Sequence, residues 1–337
     1  MANILIRGPL LTQSGYGVHS RQIFAWALDR GHKIYAECTS WGMTPWYVNA
    51  ASCDGLIGEI MSRTTPPAMM PDVSIQIQLP NEWDSSLCQK NIGITAGVET
   101  NICSRGWVEA CQKMDAVIVP STFTANTFIN CGFETPKVIS ETYYKACAED
   151  PIGLAEIENV KTEKNFLLFG QITGTDSTMD RKNTLDTVKW YMESFKDTDV
   201  GLFIKTNSGT NCKMDRRVTK RHLGNYINKI RPKDCKAKVY LLHGAMTETE
   251  VASLYKSKKI IGLISATRGE GFGLPLLEAA VAQWAQAYSK DFTKKLKALY
   301  KNEQYYRKKA QQLSLNIQKD LNFETICCEY DKMLDNL

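Results

Sequence analysis

Two carboxylates, Glu270 and Glu278, bracket a glycine-rich turn in the run Arg268-Gly269-Glu270-Gly271-Phe272-Gly273-Leu274-Pro275-Leu276-Leu277-Glu278. The apolar residues 260–265 before it read as a buried parallel strand. Leu276-Leu277-Glu278-Ala279-Ala280 after it reads as a helix, with Pro275 near the first helical position. Glycines between strand and helix let backbone N–H groups approach a ligand, and a helix N-terminus favours negative charge. Carboxylates are poor partners for phosphate and good acceptors for hydroxyls. Amide donors for phosphate beside carboxylate acceptors for hydroxyls describe a sugar nucleotide. The plain alternative is a βα turn with two surface glutamates.

A second group of residues supplies positive charge. Strands expected at 166–169 and 201–205 end beside Asp180-Arg181-Lys182-Asn183, read as opening a helix, and at Lys205. Arg181, Lys182 and Lys205 would then lie at one sheet edge. A diphosphate leaving group needs such cations, because negative charge accumulates on it as its bond breaks. The alternative is a solvated basic helix start, although the helix dipole disfavours cations there unless an anion binds. A further glycine-containing loop, residues 8–20 with Gly15, Tyr16, Gly17 and His19, follows a first strand at 4–7 and precedes a helix at 21–29. His243 follows an apolar strand and reads as a structural residue.

These residues need an α/β scaffold. Short apolar runs alternate with helical patterns, which points to parallel sheets. Strands are expected at 4–7, 34–37, 74–77, 91–95, 116–119 and 137–139, then at 166–169, 201–205, 238–242 and 260–265. Thr247-Glu248-Thr249-Glu250 reads as a capping box and Ser121 as an N-cap. The polar stretch 147–153 suits a linker. The expected division is residues 1–150, residues 151–321, and a C-terminal helix at 322–337 packing back towards the first domain.

At 337 residues the chain can hold two domains, and 43% apolar with 23% charged residues excludes a disordered protein. No run reaches membrane-spanning length, and residues 1–7 are too short for a signal segment. The cysteines lack metal-ligand spacing and read as reduced thiols, so a cytoplasmic location is expected. Two stretches, 213–238 and 294–309, are dense in Lys and Arg. They read as solvated helical faces, with nucleic acid or anionic lipid as the alternative partners.

The stretch from Arg268 to Glu278 resembles the Glu-x7-Glu signature of retaining GT-B glycosyltransferases of the GT4-like family. The resemblance implies two facing Rossmann-like domains with a donor cleft between them. It implies transfer of a hexose, glucose first, from a UDP-sugar to an acceptor hydroxyl, with no bound cofactor. The acceptor could be modified DNA, a glycan, a lipid, a protein or a small molecule. Glu270 would hold sugar hydroxyls, Gly271, Phe272, Gly273 and Leu274 would face sugar and phosphate, and Glu278 would bind the ribose. Arg181, Lys182 and Lys205 would stabilise the departing diphosphate. Gly15, Tyr16 and Gly17 resemble the family's N-terminal glycine loop, which closes over the donor diphosphate and the transferred sugar, while His19 and Glu99 would lie on the acceptor side. Relatives often carry Arg after the strand-end glycine where this chain has Gln171, which shifts that role towards Arg181. The family of the other glycosyltransferase fold places a metal-binding Asp-x-Asp after a strand. Here Asp197-Thr198-Asp199 precedes one, so no metal is expected. The chain also lacks, between Ala282 and Gln283, two βα units that the resemblance implies. Either the second domain is shorter or residues are missing there, and the strand at 260–265 would then be a sheet edge. A non-catalytic sugar-nucleotide- or nucleic-acid-binding protein on the same fold is the rival reading.

Overall fold

The computed structural model describes residues 1–97, 100–172, 180–282, 286–287 and 292–337. The chain divides into two compact units. The first comprises Met1–Thr142, Glu270–Phe272 and Leu321–Leu337, and the second Tyr143–Gly269 and Gly273–Asp320.

The first unit is built on strands β1 (Asn3–Gly8), β2 (Lys33–Cys38), β3 (Val73–Ile77), β4 (Lys90–Ile94), β5 (Ala116–Val119) and β6 (Lys137–Val138). They pair in parallel in the order β2-β1-β3-β4-β5-β6. Ile4, Ile6, Ile75, Ile77, Ile92 and Ile94 are wholly buried, as strands covered on both faces require. Helices α1 (Gly15–Asp29), α2 (Leu56–Met61), α3 (Arg105–Cys111) and α4 (Thr122–Asn130) connect them. Ser121 caps α4, its hydroxyl accepting from Thr124 N.

The second unit has strands β7 (Asn165–Phe169), β8 (Gly201–Lys205), β9 (Lys238–Leu242), β10 (Ile260–Ile264) and β11 (Gln286–Ala287). Their order is β11-β10-β7-β8-β9, again all parallel. Its helices are α5 (Ala155–Glu158), α6 (Thr184–Ser194), α7 (Lys213–Ile230), α8 (Glu248–Lys256), α9 (Leu274–Val281), α10 (Phe292–Lys301) and α11 (Glu303–Asp320). The capping box of Thr247 and Glu250 opens α8. The last helix, α12 (Phe323–Asp335), belongs to the first unit. There it buries Ile326, Cys327, Tyr330 and Met333 in one core with Trp26 of α1, and Trp26 Nε1 donates to Asp331 Oδ1 at 2.8 Å.

Two expectations change. The strand at 260–264 is not a sheet edge, because β11 pairs with it through Leu263↔Gln286 and Ile264↔Ala287. Pairing on both sides is what its four buried apolar side chains, Ile260, Ile261, Leu263 and Ile264, demand. Gln283, on the far side of the questioned junction, lies outside the described residues. The helix expected from residue 21 starts instead at Gly15. Ser14 takes the cap position and accepts from Gly17 N at 3.0 Å, so Gly15, Tyr16 and Gly17 form the first turn of α1 and not an open loop.

Candidate active site

In open parallel sheets, ligands collect outside the carboxyl ends of the strands, where neighbouring connections leave in opposite directions. In the second unit that switch point lies between β7 and β10, which are neighbours in the sheet but far apart in sequence. The chain leaving β7 leads to Arg181, and the chain leaving β10 is the glutamate loop. Two neighbouring strand ends at one edge of the sheet therefore deliver Arg181 and the glutamate loop.

These two segments are joined by hydrogen bonds. Arg181 Nη1 donates to Gly269 O at 3.1 Å, and Arg268 N donates to Arg181 O at 3.0 Å. Asn183 Nδ2 donates to Ala266 O at 3.0 Å, and Arg268 Nη2 to Asn183 Oδ1 at 3.3 Å. Arg268 also lies 3.7 Å from Asp186 Oδ2. The residues Arg181 and Lys182 do not open α6, which begins at Thr184. Asn183 intervenes with φ of 51°, a left-handed conformation that Asn tolerates better than most residues. That turn frees Arg181 from the helix, so its guanidinium reaches the glutamate loop. Asn183 and Arg268 stand inside the two quoted motifs, yet the sequence assigns neither of them a role in the site.

Lys205 ends β8, in register with Phe169 at the end of β7. Its ammonium donates to the Gly244 carbonyl, and burial lowers its pKa. The protein thus holds a cation where it is poorly solvated, an arrangement that an incoming anion would relieve. Lys182 is half-buried and Arg181 exposed.

Past β10, Glu270, Gly271 and Phe272 are partly exposed. Gly273 is the N-cap of α9 with φ of 87°, which a side chain would strain, and Pro275 sits in the first turn. Leu274 is the first residue of α9. Glu278 lies one turn further in and is only 2% exposed. Its Oε2 accepts from the Tyr255 hydroxyl of α8 at 2.9 Å. The sequence reading placed Glu278 facing a ligand. The structure encloses it and fixes its carboxylate through Tyr255, so ribose could reach it only as that enclosure opens.

In the first unit the switch point lies between β1 and β3, and the loop leaving β1 occupies it. Arg21, 5% exposed, donates to Leu10 O and Thr12 O, both at 2.9 Å, and so pins this loop from inside. Gly17 lies so close to it that a Cβ there would stand 2.2 Å from Thr12 O. Tyr16 stacks on Trp41 with ring centroids 3.9 Å apart. Its hydroxyl is 2.9 Å from Thr95 Oγ1 and accepts from Ala96 N at 3.0 Å. Tyr16 therefore ties α1 to the segment following β4. Glu99, two residues beyond Gly97, lies outside the described residues.

His19 is 2% exposed. Its Nε2 is 3.3 Å from the Tyr330 hydroxyl and its Nδ1 3.7 Å from Glu141 Oε1. Burial pushes the imidazole down to about 4 and the Glu141 carboxyl up to about 8. Between those values both groups are neutral. The ring expected on the acceptor side is thus enclosed by residues of its own unit. His243 is structural as expected, its Nε2 2.7 Å from Asp215 Oδ2.

No family model matches the sequence, and no curated protein matches it. Solved structures do. HepE of Anabaena, in complex with UDP and glucose, superposes with a TM-score of 0.71 at 11% identity over 100% of both chains. Sucrose-phosphate synthase of Thermosynechococcus elongatus gives 0.68 at 12% identity, covering 100% of this chain and 99% of its own. The chain has the GT-B fold. The lipopolysaccharide outer core galactosyltransferase WaaB matches with 0.60 at 12% identity over 100% of both chains. At these identities the likeness reaches the fold and no further. Among the described residues no helix is long and apolar enough to cross a membrane.

Proposed function

We propose that this GT-B protein is a retaining glycosyltransferase that moves glucose from UDP-glucose to an acceptor hydroxyl without a divalent metal. The observation that carries the reading is the hydrogen-bonded frame at the switch point of the second unit. There Arg181 is tied to Gly269, beside the N-terminus of α9 and one strand away from the half-buried Lys205. The complex of HepE with UDP and glucose supports the choice of donor.

The chemistry follows from the charges. As the bond from the anomeric carbon to the diphosphate breaks, positive charge grows on the sugar and negative charge on the leaving oxygen. Arg181, Lys182 and Lys205 stabilise the diphosphate, and preorganised donors in a poorly solvated site are the largest electrostatic aid available. The acceptor hydroxyl forms the new bond on the face that the diphosphate leaves, and its proton passes to the departing phosphate. Glu270 accepts from sugar hydroxyls, and the amides of Phe272, Gly273 and Leu274 face sugar and phosphate. Glu278, oriented by Tyr255, accepts from the ribose. Residues 151–321 carry the donor and residues 1–150 the acceptor; Gly15, Tyr16 and Gly17 contribute to donor binding, and Glu99 lies on the acceptor side. No disulfide joins the described cysteines, which suits a cytoplasmic enzyme.

The test is release of glucose or transfer of label from UDP-glucose, with and without EDTA. Turnover that survives EDTA is expected. Turnover abolished by EDTA and restored by manganese would remove the leaving-group role from Arg and Lys. UDP-glucose binding without hydrolysis or transfer to any acceptor would favour the rival, a non-catalytic sugar-nucleotide-binding protein.

A further inference from the structure

The helix α7 carries Lys213, Arg216, Arg217, Lys220 and Arg221 within its first three turns, all exposed. Spacings of three and four residues put them on neighbouring rows of one face. The only acid in this stretch of α7 is Asp215, whose Oδ2 is bound to His243 at 2.7 Å. Among the described residues none of these cations lies in an ion pair.

Three other helices of the same protein are built differently, although α10 (FTKKLKALYK) also lacks acids. Glu59 of α2 pairs with Arg63 just past its end, Arg105 with Glu109 on α3, and Glu303 with Arg307 on α11, each four residues apart. An ordinary solvated face is laced in this way. On α7 the pairs at that spacing are Lys213 with Arg217, Arg216 with Lys220 and Arg217 with Arg221. Each repels, and the residues nearest the start also oppose the helix dipole. The helix survives because Leu223, Ile227 and Ile230 pack against the second unit's core. Its outer face is an uncompensated cationic strip, extending about 12 Å from Lys213 to Arg221 at the helical rise.

We propose that α7 is a docking surface for the phosphodiester backbone of a nucleic-acid duplex, which makes nucleic acid the acceptor class. The guanidinium groups suit phosphate because each can present two parallel donors to its oxygens. A bilayer is the poorer occupant. An interfacial helix needs an apolar face turned to lipid, and this strip offers only Met214 as an exposed large apolar residue. The placement also fits the proposed activity, on which the acceptor assignment rests: α7 follows β8 directly, after the strand that ends in Lys205.

The experiment is fluorescence anisotropy of the whole chain with a labelled duplex of about 20 base pairs, titrated with salt. Binding is expected at about 50 mM salt, with a slope of log affinity on log salt of about −3 to −4. Arg216→Glu, Arg217→Glu, Lys220→Glu and Arg221→Glu together should cut affinity at least ~100-fold and flatten that slope. Arg217→Gln alone should lower the slope by about 1, which keeps the test open if the quadruple variant fails to fold. No duplex binding at low salt, affinity indifferent to the substitutions, or equal binding to vesicles of phosphatidylserine would overturn the proposal. UDP-glucose hydrolysis is measured on the same variants and should not change. Duplex binding without any hydrolysis leaves the docking surface standing and sinks the enzymatic reading; hydrolysis without duplex binding does the reverse.

Discussion

Replacing Glu141 by Gln should stabilise the protein, and increasingly so as pH rises. The carboxyl is 5% exposed in the first unit, 3.7 Å from the His19 ring, which also meets the Tyr330 hydroxyl. Burial raises Glu141 from 4.5 to about 8 and lowers His19 from 6.5 to about 4. Tyr330 is pushed well above its ordinary value, and Cys327 beside it up to about 12, both by burial, so neither titrates in this range. The sign is that of a raised carboxyl. The folded state keeps its proton while the unfolded chain loses one, so stability is full below 4.5 and falls as pH rises towards 8. The full loss is on the order of 5 kcal/mol, and at pH 7 about 3 kcal/mol. Gln keeps the shape and carries no charge to bury. The variant should therefore match the native chain near pH 4.5 and exceed it by about 3 kcal/mol at pH 7, less whatever the interior relaxes. Urea denaturation at pH 4.5, 7 and 8.5 measures this directly. The opposite picture, an ionised His19–Glu141 pair, makes the substitution strongly destabilising at neutral pH, because it strands a buried imidazolium. Loss of stability in the Gln variant at pH 7 would refute the neutral pair.

Other consequences can be measured on the proposed enzyme. Lys205→Met and Arg181→Gln should each lower turnover of UDP-glucose by about 10²- to 10³-fold while leaving the melting temperature nearly unchanged; equal loss of folding in both would point to a structural role instead. Glu278→Gln should weaken UDP binding about tenfold in calorimetry, since a charged acceptor for hydroxyls is worth roughly 1.5–3 kcal/mol. Unchanged affinity in the folded variant would confine Glu278 to holding Tyr255. Gly17→Ala places a methyl against Thr12 O and should cost at least about 1–3 kcal/mol of stability, read as a lower urea midpoint.

What the sequence determined by itself was the scaffold. Local pattern suffices for short apolar runs bounded by polar turns, so the runs at 116–119, 201–205 and 238–242 are strands of the same extent in the structure, the last of them an edge strand. Capping chemistry is equally local, and Thr247 with Glu250, and Ser121, act as their spacing indicated. The glycines of the glutamate loop and Pro275 likewise state a strand-to-helix turn without help from the rest of the chain.

Other features depended on partners distant in sequence. Tyr16, at the start of α1, finds its partners at Trp41, Thr95 and Ala96, far along the chain. Nothing near Glu278 announces that Tyr255, on another helix, will enclose it. His19 looks like a loop residue available to a ligand, and only the return of α12, with Tyr330, buries it. Arg181 and Gly269 meet because β7 and β10 are neighbours in the sheet. Strand order is set by which apolar faces can be covered together, a property of the whole chain. Pattern and caps are short-range and can be read residue by residue. Burial, pKa and the meeting of site residues are long-range sums, and they take their values only once the tertiary structure exists.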